Sequence, residues 1–193
     1  MSTPTRREQQ AEQRRNQLID TALALFAERG FERTTIKDLA ETAGVAQGLV
    51  YHYFASKDEL LQAVIARHNP LPQLRAMLEV AHEVPAAQLL PQLMLGAHAI
   101  FLEKQPLLHV GLRELLVKTP VRAQVFELQR QGIGLLARYL AARVAAGELR
   151  PQNTEVTARM VLSGVMLLFL TETPPEPYIQ EFLATLWQGI AAS

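Results

Sequence analysis

Residues 34–54 read TTIKDLAETAGVAQGLVYHYF, and this stretch decides the fold because it encodes two short helices joined by a tight turn. Thr35 followed by Asp38 is typical of a helix N-terminus, and Gly44 is typical of a helix end. A second short helix is predicted to begin near Ala46. Together the two elements form a helix-turn-helix, a DNA-binding motif whose shape also occurs in all-helical proteins without DNA.

Helix signals continue on both sides of this motif. A first helix is predicted from Glu8 to Arg29, where Gly30 supplies the C-cap. Ser56 and Glu59 form a capping box that begins a fourth helix, and the prolines of HNPLPQ are expected to break or kink it. Further helix starts are predicted at Pro85, Pro106, Pro120, Asn153 and Pro174. No period-2 strand is visible, so the predicted fold class is all-α with about nine helices.

A change of character near residue 65 predicts two domains. Before it lie short helices with tight turns, and after it lie long apolar helices with few charges on their inner faces. We expect residues 1–65 to form a three-helix module that contains the helix-turn-helix, and residues 66–193 to form a larger helical bundle.

Composition excludes several classes of site. The chain has 193 residues, is 49% hydrophobic and contains no cysteine, which excludes disulfides, thiolate metal sites and a cysteine nucleophile. The five histidines are scattered, without an HExxH pair or carboxylates at metal-ligand spacing. No nucleophile–base set or phosphate loop is visible either. We therefore expect no metal, no cofactor and no enzymatic activity.

Charge and hydropathy indicate a soluble protein without pointing to a partner. The net charge is zero, and residues 1–60 carry eight Lys and Arg against nine Asp and Glu. A nucleic-acid interface must therefore depend on where charges lie. The N-terminus is polar without an apolar leader region, and the longest apolar stretch, residues 160–170, is shorter than the roughly 20 residues that cross a bilayer. A cytoplasmic location without membrane contact is expected.

The second helix of the motif is predicted to divide into two faces. Residues at i, i+3 and i+4 spacing are expected to pack inward: Val50, Tyr53 and Phe54. The residues left on the outer face carry hydrogen-bonding and aromatic groups: Gln47, Gly48, Tyr51 and His52. This face is small enough at its N-terminal end to enter a major groove.

The outer face has the chemistry that DNA binding needs. A glycine inside a helix costs about 1 kcal/mol relative to alanine, so Gly48 indicates close approach of a surface such as a phosphate strand. Tyr51 and His52 can donate to phosphate oxygens, and Gln47 can pair with a base edge, adenine best. Leu49 is expected to contact a thymine methyl or to pack inside. Lys57, Thr34 and Thr35 lie at helix starts, where they are expected to contact phosphate, although Thr35 is a helix cap first. The predicted DNA-binding residues are therefore Thr34, Thr35, Ala46, Gln47, Gly48, Leu49, Tyr51, His52 and Lys57.

Four arginines precede the motif and have two interpretations. They could form an arm that follows the DNA backbone or enters the minor groove, or they could be a solvated, partly disordered tail. These residues are Arg6, Arg7, Arg14 and Arg15.

Residues 15–65 resemble the DNA-binding region of TetR-family transcriptional regulators. The resemblance includes, in order, the FAERGF turn, the TTIKDLAETAGV helix, the LVYHYF helix and the SKDELL capping box. It covers about a quarter of the chain, while the remainder agrees only in length and helical character. AQGL at 46–49 departs from the small hydroxyl or basic residues of many relatives, which affects the base preference. The resemblance implies binding to a double-stranded DNA operator.

The resemblance also implies a homodimer that uses the last two helices, about 153–171 and 174–191, on a pseudo-palindromic site. The sequence supports this independently, because the first of these segments is apolar nearly all round and needs partners on every side. Ser163 and Gly164 are small enough there for close helix crossing. In the alternative interpretation both helices are core of a monomer.

In the family, middle helices enclose a small-molecule pocket whose occupancy changes the separation of the DNA-binding heads. The candidates here are polar groups in apolar helices together with an apolar wall: Met94, His98, Phe101, His109, Arg113, Phe126, Gln129 and Ile133. Any of them could instead be core or surface. A hydrophobic or amphipathic effector and a ligand-released repressor are expected. The alternatives are a dimeric regulator without effector and a helical lipid- or small-molecule-binding protein.

Overall fold

The structure, a computed structural model, describes residues 5–80, 84–115 and 120–190. Within them the chain forms ten helices and no β-strand: α1 (Arg6–Arg29), α2 (Ile36–Ala43), α3 (Gln47–Tyr53), α4 (Lys57–His68), α5 (Leu71–Val80), α6 (Ala86–Glu103), α7 (Gln105–Leu115), α8 (Pro120–Ala145), α9 (Thr154–Thr171) and α10 (Pro175–Ile190). The all-α prediction is confirmed. The helix beyond the expected nine is α5, because the chain breaks at Pro70 instead of continuing α4 with a kink.

The described backbone divides into two compact units. The first comprises Met1–Asn69 and Gln105–Val125, and the second comprises Pro70–Lys104 and Phe126–Ser193. The segment that contains α7 therefore belongs with the N-terminal helices, whereas the sequence boundary near residue 65 placed it in the bundle. The functional division into a DNA-binding module and an effector and dimer module stays a prediction.

Local capping signals begin α2 and α4 where the sequence predicted them, although in α4 the Glu59 carboxylate accepts from the Ala55 N–H and not from that of Ser56. In α2 the Thr35 hydroxyl accepts from the Asp38 backbone N–H at 3.1 Å, and the Asp38 carboxylate accepts from the Thr35 backbone N–H at 2.8 Å. Gly44 then ends α2 in the left-handed region at φ 66°. Hydrogen bonds from the Thr35 side chain and backbone hold the pKa of Asp38 below its usual value, so this box favours the ionised carboxylate.

The four N-terminal arginines lie on α1. A capping box between Thr5 and Glu8 begins this helix, so the helix includes Arg6, Arg7, Arg14 and Arg15, all of them exposed. These arginines therefore lie on a helix and not in a partly disordered tail, because the capping box satisfies free N–H groups of the first turn. Their contact with DNA stays a prediction.

The first unit has one apolar core. The predicted inward residues of α3 are confirmed, because Val50 and Phe54 are buried and Tyr53 is half-buried against this core. Leu107 and Val110 of α7 are also buried in it. Amphipathic α7 thus supplies part of the core that supports the helix-turn-helix.

The second unit is built around α9. Seven residues of α9 are buried: Thr157, Ala158, Val161, Gly164, Val165, Leu168 and Phe169. A Cβ added to Gly164 would lie 3.3 Å from the Phe182 ring and 3.6 Å from the Met94 methyl, so the glycine allows close packing against α10 and α6 of the same chain. The small residue predicted for helix crossing therefore acts inside the monomer.

Candidate nucleic-acid interface

Helix α3 is short and is held in place by its neighbours. It spans seven residues, and its N-cap, Ala46, makes no side-chain capping bond. A helix of this length is not stable alone in water, so its position depends on packing. Val50 is fully buried, and Phe54 directly after the helix is 1% exposed. These two side chains fix α3 on the core of the first unit.

The opposite face of α3 is open to solvent. Tyr51 is 51% exposed, and Gln47, Gly48 and His52 are exposed as well. We call these four residues the α3 face. It carries an amide, a phenol and an imidazole on one short helix, which are groups that donate and accept hydrogen bonds with base edges and phosphates.

Gly48 lies at the second position of α3, in its first turn, and not in a helix interior as the sequence indicated. The expected cost of about 1 kcal/mol for an interior glycine is therefore an upper value here. A Cβ added to Gly48 would meet no atom within 4 Å. Packing within the described chain consequently does not require glycine at this position.

The other predicted contacts near α3 divide by exposure. Thr35 and Ala46 are exposed and Leu49 is half-buried. Thr34 is only 1% exposed, and its hydroxyl donates to the carbonyl of Gly30 at 2.8 Å. The expected phosphate contact by the Thr34 side chain is therefore wrong in this conformation, because the hydroxyl is buried in the turn before α2.

Lys57 is half-buried and already has partners. Its ammonium donates to the carbonyls of Phe31 at 2.9 Å, Thr34 at 3.2 Å and Glu32 at 3.3 Å, and it lies 4.4 Å from the Phe31 ring centroid. Three carbonyls match the three donors of an ammonium group. In this conformation Lys57 holds the turn before α2, and its predicted phosphate contact stays a prediction.

Arg15, which the sequence offered only as part of a possible DNA-binding arm, lies close to the helix-turn-helix. The Arg15 guanidinium lies 5.1 Å from the ring centroid of Phe54, the residue after α3. Arg15 precedes buried Leu18 and Ile19 by three and four residues, which places it next to the apolar stripe of α1.

The predicted effector residues do not gather around one cavity. In the second unit Met94, Phe101 and Ile133 are buried and His98 is half-buried, as core residues would be. The remaining two of that unit are surface residues: Phe126, 44% exposed, and Gln129.

The other two predicted effector residues belong to the first unit. His109 is exposed on α7. Arg113 donates to backbone carbonyls at the end of α1, at 2.6 Å for Glu28. Its assignment to an apolar effector pocket is corrected by this contact, because the sequence pattern could not show a partner 85 residues away.

Among the described residues of the second unit we consider two cavities, and none of the predicted effector residues lines either of them. The first, about 260 Å³, is lined by Ala86, Ala87, Leu90, Pro91, Leu183, Ala184 and Trp187. The second, about 540 Å³, is lined by Thr157, Met160, Tyr178, Glu181, Phe182, Thr185, Leu186 and Gly189.

A row of apolar side chains is left uncovered on α9. Val156, Met160, Leu167 and Leu170 are each about half exposed, and exposed Ser163 continues their spacing. Successive members are separated by four, three, four and three residues, which is the spacing of a helix-packing seam. We call these five residues the α9 stripe.

The N-terminal part of the chain resembles known proteins in sequence. Residues 18–64 match the family described as bacterial regulatory proteins, tetR family. The chain is 45% identical over 90 residues to the transcriptional repressor KstR2 of Mycobacterium tuberculosis, covering 38% of this chain and 45% of that protein. It is 36% identical over 91 residues to the regulator TtgR of Pseudomonas putida, covering 47% and 43%. The chain thus matches less than half the length of these curated relatives.

Solved structures resemble almost the whole chain in fold. A candidate fatty acid metabolism regulator of Clostridium perfringens has a TM-score of 0.78 at 19% identity, covering 92% of this chain and 100% of that one. The ketosteroid transcriptional regulator KstR2 of M. tuberculosis has a TM-score of 0.69 at 22% identity, covering 93% and 96%. At these identities the likeness concerns the fold alone.

Proposed function

We propose that this chain, whose residues 18–64 match the tetR family of bacterial regulatory proteins, is a transcriptional repressor that binds a pseudo-palindromic DNA operator as a homodimer. The observation that carries the proposal is the α3 face, whose hydrogen-bonding groups are exposed while the opposite side of the helix is buried. The relatives that match this part of the chain are named as transcriptional repressors and regulators, none of them as an enzyme.

The α3 face suits a major groove. Gln47 in the first turn is proposed to read a base edge, because an amide side chain can make two hydrogen bonds to adenine. Tyr51 and His52, one turn further along, are proposed to donate to phosphate oxygens, which position the helix without reading sequence. Gly48 presents backbone without a side chain between these groups, so DNA can approach closely.

The α9 stripe supports the homodimer. A solvated polar face needs no partner, but a seam of aliphatic side chains at four-three spacing is stabilised by burial against another helix. A second copy of the same stripe is the natural partner, because a two-fold interface places one surface against itself. Two copies would also place two α3 faces on one operator, which explains the expected two-fold symmetry of the site.

The second cavity supports the same interface. It lies between α9 and α10 and is lined by Met160 of the stripe and by the stacked rings of Tyr178 and Phe182, whose centroids are 5.9 Å apart. Aromatic rings beside an apolar seam are typical of the buried centre of protein interfaces. We propose that side chains from the second copy fill this groove.

Selection from random DNA duplexes tests the proposal. The chain is expected to enrich a two-fold symmetric sequence, and log affinity for it should fall linearly and steeply with log salt, because phosphate contacts release counterions. Light scattering of the complex should give two chains per duplex. Failure to enrich any sequence, together with duplex affinity that is independent of salt, would contradict DNA binding.

We further propose that a hydrophobic or amphipathic effector binds the second unit and releases the operator. Support comes from the apolar first cavity, where Trp187 is the sole tryptophan of the chain, and from relatives named for ketosteroid and fatty acid metabolism regulation. An effector shifts the equilibrium only if it binds the DNA-free form more tightly than the bound form.

Fluorescence of Trp187 provides a test of effector binding. A fatty acid and a ketosteroid would be titrated while Trp187 emission and operator affinity are followed at fixed salt. The expected result is an emission change that accompanies operator release. Operator affinity that stays constant at saturating ligand would favour a dimeric regulator without effector control by these compounds.

We propose a cytoplasmic location, since DNA is the partner. Of the helices in the described ranges, α9 alone combines a length of 18 residues with a mean hydropathy of 1.4, which by composition would suffice to span a membrane. Seven of its residues are buried in the second unit, which favours a core helix.

A further inference from the structure

Two cations hold the backbone that connects α1 to α2. Lys57 of α4 binds the carbonyls of Phe31, Glu32 and Thr34, as described above. Arg113 of α7 binds the carbonyl of Glu28 at 2.6 Å and approaches that of Ala27 at 3.4 Å, in each case through one guanidinium nitrogen. We call the Lys57 contacts the α4 clamp and the Arg113 contacts the α7 clamp.

The α7 clamp satisfies carbonyls that α1 itself leaves without partners. The last four carbonyls of a helix have no N–H donor within it, and those of Ala27 and Glu28 belong to this group. The preceding carbonyl, of Phe26, accepts from the Gly30 N–H at 2.9 Å. A cation beside the carbonyl end of α1 also lies at the negative end of the helix dipole, where positive charge is favourable.

Thr34 completes the hydrogen bonding of the turn. Its buried hydroxyl donates to the carbonyls of Gly30 at 2.8 Å and of Leu25 at 3.4 Å. The backbone from the last turn of α1 to the start of α2 is therefore tied down by Arg113, by Lys57 and by Thr34. Thr35 follows immediately and caps α2, so the clamped turn fixes the position where α2 begins.

Helix α7 is a firm support for its clamp. Leu107 is 8% exposed and Val110 is 1% exposed, both inside the core of the first unit. Val110 and Arg113 are separated by three residues and thus lie on neighbouring positions of one side of α7. The buried residue holds the helix while the arginine at its edge reaches the end of α1.

We propose that Arg113 is a positioning residue for DNA binding, which acts through the α1–α2 turn on the orientation of α3. Because α3 has seven residues and no side-chain cap, its position depends on α2 and on the core. Loss of the α7 clamp frees two carbonyls and allows the turn to move. This inference rests on the proposed DNA-binding function.

Operator affinity of the full chain tests the role of Arg113. Arg113→Ala is expected to weaken binding to the selected operator about tenfold or more, in line with loss of hydrogen bonds from a charged donor. The slope of log affinity against log salt should stay at the wild-type value, because Arg113 releases no counterion from phosphate. Arg113→Lys should restore part of the affinity. The matched control is Arg130→Ala, since Arg130 pairs with the side chain of Glu127, and it should bind like wild type.

Amide hydrogen exchange tests the clamp without DNA. Arg113→Ala should accelerate exchange of the amides at Gly30 and Thr34, whereas Arg130→Ala should leave them unchanged. Unchanged operator affinity in Arg113→Ala overturns the proposal, and so does a shallower salt slope, which would make Arg113 a phosphate contact.

A second variant and the DNA binding of the wild-type chain distinguish failure of the positioning role from failure of the proposed function. If Arg113→Ala fails to fold by circular dichroism, wild-type affinity in Arg113→Gln, which cannot supply a cation, overturns the positioning role. If the wild-type chain binds no duplex, the proposed function fails and the positioning role fails with it, whereas accelerated exchange would still show the clamp.

Discussion

Helices α3 and α9 both leave side chains uncovered, but the uncovered groups differ in kind. The α3 face exposes an amide, a phenol and an imidazole on seven residues. The α9 stripe exposes four aliphatic or thioether side chains over a helix of 18 residues. On both helices the side opposite the exposed residues is buried, so each helix packs against the core of its own unit.

The contrast indicates two kinds of partner. Hydrogen-bonding groups lose little by remaining in water, and they gain specificity only against a surface with matching donors and acceptors. Exposed aliphatic side chains gain free energy from burial against almost any apolar surface, at about 25 cal/mol per Å². This difference is the reason for proposing nucleic acid as the partner of the α3 face and a second copy of the chain as the partner of the α9 stripe.

The largest expected effect comes from charging the α9 stripe. Met160→Glu combined with Leu167→Glu removes two apolar side chains per chain and adds charges that would have to be buried. Since a buried side chain of this size contributes about 1.5–3 kcal/mol, dimerisation should weaken by about a thousandfold or more. Light scattering or analytical ultracentrifugation measures the change.

The control for this double variant adds the same charge elsewhere. Ala141→Glu with Ala145→Glu places two glutamates on exposed positions of α8. It should keep the mass of wild type. A wild-type chain that is already monomeric at micromolar concentration would refute the proposed use of the stripe.

The next largest effect concerns base discrimination by the α3 face. Gln47→Ala should reduce preference at one operator position by about 1–3 kcal/mol, because the two hydrogen bonds to a base edge are lost. Competition among operators that differ at single positions measures it. Gln62→Ala, an exposed glutamine on α4, is the matched control. An equal loss at every position would mean that Gln47 contacts the backbone of the DNA.

A smaller effect is expected from the phenol of Tyr51. Tyr51→Phe should weaken binding to all duplexes by about 1 kcal/mol, since one neutral hydrogen bond to phosphate disappears. Tyr53→Phe makes the same chemical change on the half-buried side of α3 and should leave affinity unaltered. If the two variants behave alike, the division of α3 into two faces is wrong for DNA binding.

The smallest expected effect has opposite signs for stability and binding. Gly48→Ala should raise the free energy of unfolding by up to about 1 kcal/mol, because alanine favours helix and its Cβ meets no atom. The same Cβ should weaken operator binding by holding the DNA away. Thermal unfolding and duplex titration measure the two signs.

Gly134→Ala within α8 serves as the comparison for Gly48. A Cβ there comes no closer than 3.6 Å to any described atom, so stability should rise without a change in operator affinity. Tighter operator binding by Gly48→Ala would contradict close approach of DNA at this residue.

Local patterns predicted the N-terminal helices well. The capping box of α2, the stop at Gly44 and the inward set of α3 depend on residues within a few positions of each other, so short stretches of sequence contain the needed information. The effector residues were predicted less well. The boundary predicted near residue 65 placed His109 and Arg113 in the bundle, but α7 packs into the core of the first unit.

The sequence by itself determined the all-helical class, the start and stop of α2 and the division of α3 into a buried and an exposed face, because these follow from periodicity and capping along the chain. Only the tertiary structure decided which carbonyls Lys57 and Arg113 bind and that Thr34 is buried. The partners of these two cations lie between 23 and 86 residues away. A hydrogen-bond donor can use any carbonyl that folding brings near, and packing alone selects it.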